Sequence, residues 1–411
     1  MGSFSIALSG LDADSTALNT IGNNLANLNT TAYKGETTSF ETLFSQELGQ
    51  SGSGDPIQIG AGTKVSGTTT DFSGGTLLPD SDTNNSDMAL DGDGFFVVEQ
   101  NGQQSLTRAG NFQVANNGAL TTQDGQSVLG YPATGGVVST NTSPQPITLP
   151  VGTTEGAQAT QNISVTVNLN SNATGGDQFT TPVQIFDSLG QAHQATITYD
   201  KTGTNTWSYS VSLPSGDATG TPVNNTGTLT FDSSGNLTSP TGTVSGISFP
   251  GLADGASNLT FNWNLNGSGP TPTITQLASA NTNGPVNQDG FASGNYTGFT
   301  VDPSGVIQAQ FSNGNKVTIG QVAVASVANE QGLVATGGNN FQTTAASGQA
   351  VAGVAGTGGR GRVDDSELEE SNVNISTEFS DLIVAQRAFE ANSKTVTTFD
   401  TISQDVIAMV R

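Results

Sequence analysis

The sequence predicts a mixed, mainly β fold, in which paired, coiled-coil-like N- and C-terminal α-helices flank two β-rich domains, one inserted in the other. Three observations carry this reading. Heptad patterns are confined to the two ends of the 411-residue chain. Between them, short apolar alternations are broken by turn residues every eight to twelve positions, roughly the spacing of hairpin-connected strands. Composition also shifts inside the β region: residues 146–285 hold seven acids and one lysine and are rich in Thr, Ser, Asn and Gly.

The first 30 residues form the first element. Phe4, Ala7, Leu11, Leu18, Ile21, Leu25 and Leu28 occupy an unbroken heptad frame in which Asp14 is the one polar exception. One narrow apolar seam then runs along about 40 Å of helix. Asn29-Thr30-Thr31 is a stop. Phe40, Leu43, Phe44 and Leu48 share one face of a second, shorter helical pattern, and Gly49–Gly54 follows as a flexible joint.

Strands begin near Ile57. Gly94-Phe95-Phe96-Val97-Val98 and Val317–Val327 are the longer apolar ones. Asn116-Asn117-Gly118, Asp187-Ser188-Leu189-Gly190, Asp232-Ser233-Ser234-Gly235 and Asp302-Pro303-Ser304-Gly305 mark recurring hairpins, with Asp opening a turn and Gly at its left-handed position. Gly353–Gly361 reads as a second joint. The expected division is 1–70 for the N-terminal helix and linker, 71–145 with 286–360 for a discontinuous β domain, 146–285 for the inserted outer domain, and 361–411 for the C-terminal helix.

In that last segment Ile375, Leu382, Phe389, Val396 and Val410 share one heptad position, with Ser403 interrupting. Ala385, Phe399 and Val406 share its companion, with Asn392 interrupting. Asn374 can cap this helix and Glu378 suits its first turn. Isolated amphipathic helices of this length are marginal in water, so each end needs a partner. The seams serve either as a subunit interface or as an intramolecular helix pair.

Charge narrows the function. The formal net charge is −24, from 34 acids and 10 bases. A nucleic-acid surface needs a basic footprint, and none is present; anionic membrane surfaces are disfavoured for the same reason. The chain has no cysteine, which excludes disulfides, thiol catalysis and Cys-ligated zinc. No apolar run is long enough for a membrane span, and the first residues show no cleavable secretory signal.

Motifs that hint at sites are weak. Asp80-Ser81-Asp82-Thr83-Asn84, with Asp87 and Asp91, has Asn85 and Asp91 where a calcium loop wants Gly and Glu; a solvated loop is expected. His193, the only histidine, has no nucleophile elbow nearby. Gly356-Thr357-Gly358-Gly359-Arg360-Gly361 lacks the Lys-Ser/Thr of a phosphate loop. No catalytic residue, cofactor or metal is expected. Asn23, Asn24, Asn27 and Asn29 are unusual in a helix, and suit either amide bonding between packed helices or an exposed polar face.

Two terminal motifs resemble a known family. Ser9-Gly10-Leu11, Ile21-Gly22-Asn23-Asn24-Leu25-Ala26-Asn27 and Asn29-Thr30-Thr31-Ala32-Tyr33-Lys34 are similar to the N-terminal signature of bacterial flagellar rod and hook axial proteins. Leu368-Glu369-Glu370-Ser371-Asn372-Val373-Asn374, Glu378-Phe379, Ile383-Val384-Ala385-Gln386-Arg387-Ala388-Phe389 and Ala391-Asn392 resemble the C-terminal one. Leu90–Val98 and Leu106–Phe112 also fit. Thr181–Gly190 with Trp207, Gly314–Leu333 and Gly130–Thr134 resemble the hook branch in particular; the alternative is a distal rod-type member with an enlarged insert. Tyr33 departs mildly, since many relatives have Phe there.

The resemblance implies a non-enzymatic subunit of a helical homopolymer, the flexible joint passing torque from rod to filament. It implies export without a cleaved signal peptide through the flagellar type III apparatus to the cell surface. Rod and hook-filament junction proteins and the hook cap are the implied partners. The interface residues expected from seams and motifs together are Leu11, Leu18, Ile21, Asn23, Asn24, Leu25, Asn27, Leu28, Leu382, Ala385, Phe389, Val396, Phe399 and Val406.

Overall fold

The computed structural model describes residues 2–50, 56–79, 86–266, 269 and 272–409. The first helix, α1, spans Gly2–Ala26, and the last, α2, spans Ile375–Met409. Nearly every other described element is a β-strand, so the architecture is mainly β with terminal helices. No described helix is long and apolar enough to cross a membrane. The chain forms two compact units: Met1–Val151 with Gly298–Ala309 and Val317–Arg411, and Gly152–Thr297 with Gln310–Lys316.

In the first unit, Phe95–Gln100 is hydrogen-bonded to Gln103–Thr107 on one side and to Ser127–Thr134 and Lys316–Ser326 on the other. Its apolar run has no polar face because both faces are buried. Phe96 and Val98 enter a core with Leu120, Val128, Val322 and Val324. Phe95 and Val97 enter a second core with Leu129, Tyr131, Ala323 and Phe341. Alternate side chains of a strand point to opposite faces, so one strand serves two cores.

The second unit is two five-stranded sheets sharing one core. Gln178–Phe186, Ala192–Gly203, Thr206–Ser212, Thr226–Phe231 and Leu237–Ser239 form an antiparallel meander. Asn162–Asn170 lies within the other sheet and alternates strictly between buried apolar and less buried polar residues. Trp207 and Trp263 are fully buried, and the Trp207 indole N–H donates to Gln276 Oε1 at 2.9 Å.

The aspartate turns share one geometry. Asp187, Asp232 and Asp302 each accept, at Oδ1, the backbone N–H groups two and four residues on. The glycine three residues on has φ between 83° and 84° in each, a conformation that costs other residues strain. Ala115–Gly118 makes the same backbone turn without the carboxylate.

Two expectations fail here. Phe40, Leu43 and Phe44 do not lie on a helix: Glu36–Thr42 is a strand paired with Thr63–Thr70, and Ser45–Gln50 pairs with Pro56–Gly60. Leu48 lies in the strand Ser45–Gln50. Thr37, Thr38 and Thr42 are β-branched and resist helix, and the apolar positions share no buried face: Phe40 is 47% and Phe44 94% exposed. Gly353–Gly361 is not slack either. Val351–Val354 pairs with Lys316–Ser326, and the Gly361 N–H donates to Asp93 O at 2.6 Å. The Gly49–Gly54 joint and the Asp80–Asn84 loop lie partly or wholly outside the described residues.

Truncating Trp207 to alanine empties a fully buried site and removes one of the two donors to Gln276 Oε1, leaving Lys201 Nζ at 3.1 Å. The expected loss is about 3–5 kcal/mol, read as a lower midpoint in urea with Trp263 fluorescence as the probe.

Candidate subunit interface

The two terminal helices pack against each other in antiparallel fashion. Asn24, near the end of α1, donates to Glu378 Oε1 at the start of α2 at 3.0 Å. At the far end, Asn392 donates to Asp14 Oδ2 at 2.8 Å. Gly10 sits beneath Asn392 so closely that a Cβ there would lie 2.6 Å from the amide nitrogen. Asn374 caps α2 by accepting the N–H groups of Ser376 and Thr377 at 2.9 and 3.2 Å. Burial pushes the Glu378 carboxyl above its ordinary range, partly offset by the Asn24 amide.

The expected interface residues divide by burial. Leu11, Leu18, Ile21 and Leu25 on α1 are half-buried, as are Leu28 in the turn that follows it and Leu382, Ala385, Val396 and Phe399 on α2. Phe389 and Val406 face solvent in the single chain, and Val410 lies outside the described residues. The fully buried positions of α1 are small or polar: Ala7, Gly10, Ala13 and Asn24. At about 1.5 Å per residue, the start of α1 falls level with about residue 400. Beyond that point every described residue of α2 is exposed. Phe4 and Leu8 on α1, and Ile375, Phe379, Ile383, Ile402, Ile407 and Met409 on α2, are all at least 45% exposed.

The asparagines have distinct jobs. Asn24 is buried, and both ends of its amide hold the backbone of Glu36, at 2.8 and 3.0 Å. It thereby joins α1, the following strand and α2. Asn23 donates to the Tyr33 hydroxyl at 3.0 Å, and Asn27 donates back to Asn23 O at 2.9 Å and accepts from Thr30. These last two brace the turn after α1 and do not reach α2. Asn29 is exposed.

A buried ion triad, which sequence patterns alone do not single out, fixes where the two ends meet. Glu369 Oε1 lies 2.6 Å from Lys34 Nζ, and its Oε2 lies 3.1 Å from Arg108 Nε. Lys34 also donates to Ser73 O at 2.7 Å, and Arg108 to the carbonyls of Gly92 and Gly94 at 2.7 and 2.8 Å. The Gly75 N–H donates to Glu369 at 2.8 Å. Burial alone would raise the Glu369 carboxyl, but Arg108 and Lys34 together hold it below the ordinary carboxylate range. Burial lowers the Lys34 ammonium despite its partner. One signal does point to the triad: in a chain with only ten bases, each of the three residues lies inside a stretch that carries the family resemblance.

Comparison with known proteins identifies the family. A family model described as flagella basal body rod protein matches residues 4–34, and one described as flagellar basal body rod FlgEFG protein C-terminal matches 365–409. Between them, the flagellar hook protein FlgE/F/G D1 domain matches 89–170 and the flagellar basal body protein FlaE D2 domain matches 168–291. The chain is 34% identical to the flagellar hook protein FlgE of Salmonella typhimurium, over 98% of this chain and 99% of that one. The chain belongs to the flagellar hook protein family. The Treponema pallidum hook protein FlgE is 31% identical, with 98% of each chain covered. A crystal structure of a Helicobacter pylori flagellar hook protein, 15% identical, superposes with a TM-score of 0.54 over 71% of this chain and all of that one, and shares its fold. The hook-protein family is a structural one.

Replacing Glu369 by glutamine leaves two buried cations underbalanced. The expected cost is about 3–5 kcal/mol near neutral pH. Because the Glu369 carboxyl is depressed when folded, its contribution is complete above the ordinary value of 4.5 and fades as pH falls through the lowered one. Denaturant melts of both proteins should therefore converge on acidification, whereas a constant gap would assign the loss to packing.

Proposed function

We propose that this chain is a structural subunit of the flagellar hook and polymerises through α1 and α2. One observation carries the reading: the helix pair leaves apolar side chains uncovered along both members, and α2 runs past the end of α1. A helix exposing Ile402, Val406, Ile407 and Met409 gains stability by burying them against another copy, at roughly 25 cal/mol per Å². The seam residues therefore serve twice, pairing the ends within a chain and then packing those pairs side by side. The proposed division of labour places the terminal helices in an inner wall and the β domains outside it, segmented as 1–70, 71–145 with 286–360, 146–285 and 361–411. Bending would then occur at outer contacts while the inner wall holds.

The proposed partners are other copies of the chain, rod and junction proteins at either end, and a cap during assembly. Export by the flagellar type III route without a cleaved signal completes the reading, as does a location at the cell surface. Full-length similarity to hook proteins, across the 168–291 domain as well as the ends, favours hook over rod.

Electron microscopy of the purified chain tests this. The intact protein should form curved hollow tubes, more readily as salt screens its −24 charge. A version lacking residues 375–411 should stay soluble and unassembled, and so should Gly10→Leu, whose side chain cannot fit beneath Asn392. Tubes from the truncated chain would place the essential contacts in the β domains.

A further inference from the structure

The second unit holds a cluster that the polymer reading does not use. His193, the only histidine, is 7% exposed at the start of strand Ala192–Gly203. Its Nδ1 lies 3.1 Å from Asp217 Oδ2. Its Nε2 lies 3.1 Å from Asp187 Oδ2 and 3.6 Å from Asp254 Oδ2. Both ring nitrogens thus face carboxylate oxygens.

A neutral imidazole has a single N–H. One of its two nitrogens would then set a lone pair against a carboxylate. Protonating the ring removes that conflict but leaves three carboxylates around one positive charge, and Asp187 is fully buried. Excess negative charge away from water is costly. A divalent cation on Nε2 removes the lone-pair conflict and more of the charge. It also leaves the Nδ1–H to donate to Asp217, the carboxylate–histidine–metal arrangement that fixes ring orientation.

The geometry suits such an ion. One ligand atom from each of Asp187, His193 and Asp254 lies within 4.8 Å of the other two. Donors about 2.0–2.1 Å from one tetrahedral ion are separated by about 3.4 Å, between the two measured spacings. The carboxylates are also pre-set. Asp187 Oδ1 is held by the N–H groups of Leu189 and Gln191, and Asp254 Oδ1 by that of Ala256 at 3.0 Å. Asp187 differs here from its turn-mate Asp232, whose Oδ2 accepts from the Asn236 side chain. The loops are tied directly, since Ser257 N–H donates to Ser188 Oγ at 3.0 Å and Ala253 N–H to Asp217 O at 2.9 Å.

We propose that Asp187, His193 and Asp254 form a binding site for a zinc-class divalent cation, with Asp217 as the positioning residue for the imidazole. One nitrogen and two oxygens favour a borderline ion over calcium or magnesium, which want oxygen throughout. Asp254 is exposed and leaves a side open to water. The ion would clamp three loops at one end of the sandwich.

The test is zinc chloride titrated into the chelator-treated full chain by calorimetry, together with nitrogen NMR of the single histidine. One ion per chain is expected, with a zinc-dependent shift at Nε2 while Nδ1 keeps its proton, and a rise in melting temperature. Asp254→Asn, a surface change that retains the turn oxygen, should weaken binding at least tenfold, and Asp217→Asn by about 10–100-fold. An unmoved Nε2 resonance, no binding at millimolar zinc, or equal affinity in Asp254→Asn would overturn the proposal. The NMR measurement uses the unaltered chain, so it decides the matter even where a variant fails to fold.

Discussion

Glu369 is the point on which the arrangement of the two ends turns. Its carboxylate is buried between Lys34, which follows α1, and Arg108, which lies in the β core. Sequence separations of 335 and 261 residues are thereby closed at one point. Buried ion pairs seldom add net stability over apolar packing, because desolvation offsets their attraction. Their value lies in direction: a lysine, a fork-shaped guanidinium and a carboxylate satisfy one another in few geometries. Around the triad, Asn372 accepts from Gly35 N–H and donates to Asp71 O, and Ala32 N–H donates to Glu369 O. The end of α1 and the start of α2 are thus seated on the same small region before the helices meet.

From that seat the helices run together, and the register is polar. Asp14 is the one polar residue in the first heptad frame and Asn392 an interruption in the second. They are hydrogen-bonded to each other at 2.8 Å. Two defects of separate patterns are one contact. A polar pair in an apolar seam costs stability, but it penalises slippage, since any shift leaves both groups unmatched. Gly10 lets the backbones approach at that level.

Both helices, the asparagine cap of α2 and the β-rich middle are legible in the sequence because each rests on local pattern: a heptad, a capping asparagine, a repeated Asp-x-x-Gly turn. The strand Glu36–Thr42 is hidden because Phe40, Leu43 and Phe44 fit a helical period by chance, while the neighbouring threonines carry the better information. Gly353–Gly361 misleads because glycine content signals permission to turn and says nothing about what pairs with the turn. The triad and the histidine cluster are non-local: Asp187, Asp217 and Asp254 meet His193 only once the sheets have folded. No spacing rule gathers them.

The same contrast separates the two units physically. In the second, strict alternation and two buried tryptophans provide a core that needs nothing from elsewhere in the chain. The helices have no such reserve. The described part of α2 has no fully buried residue, so its order rests on a polar clasp at one end, a narrow seam, and whatever covers its outer face. An element whose own core is this thin is poorly stable alone and strongly stabilised by neighbours. That asymmetry suits a subunit that must remain soluble until it meets its copies, and the net charge works in the same direction by keeping free chains apart.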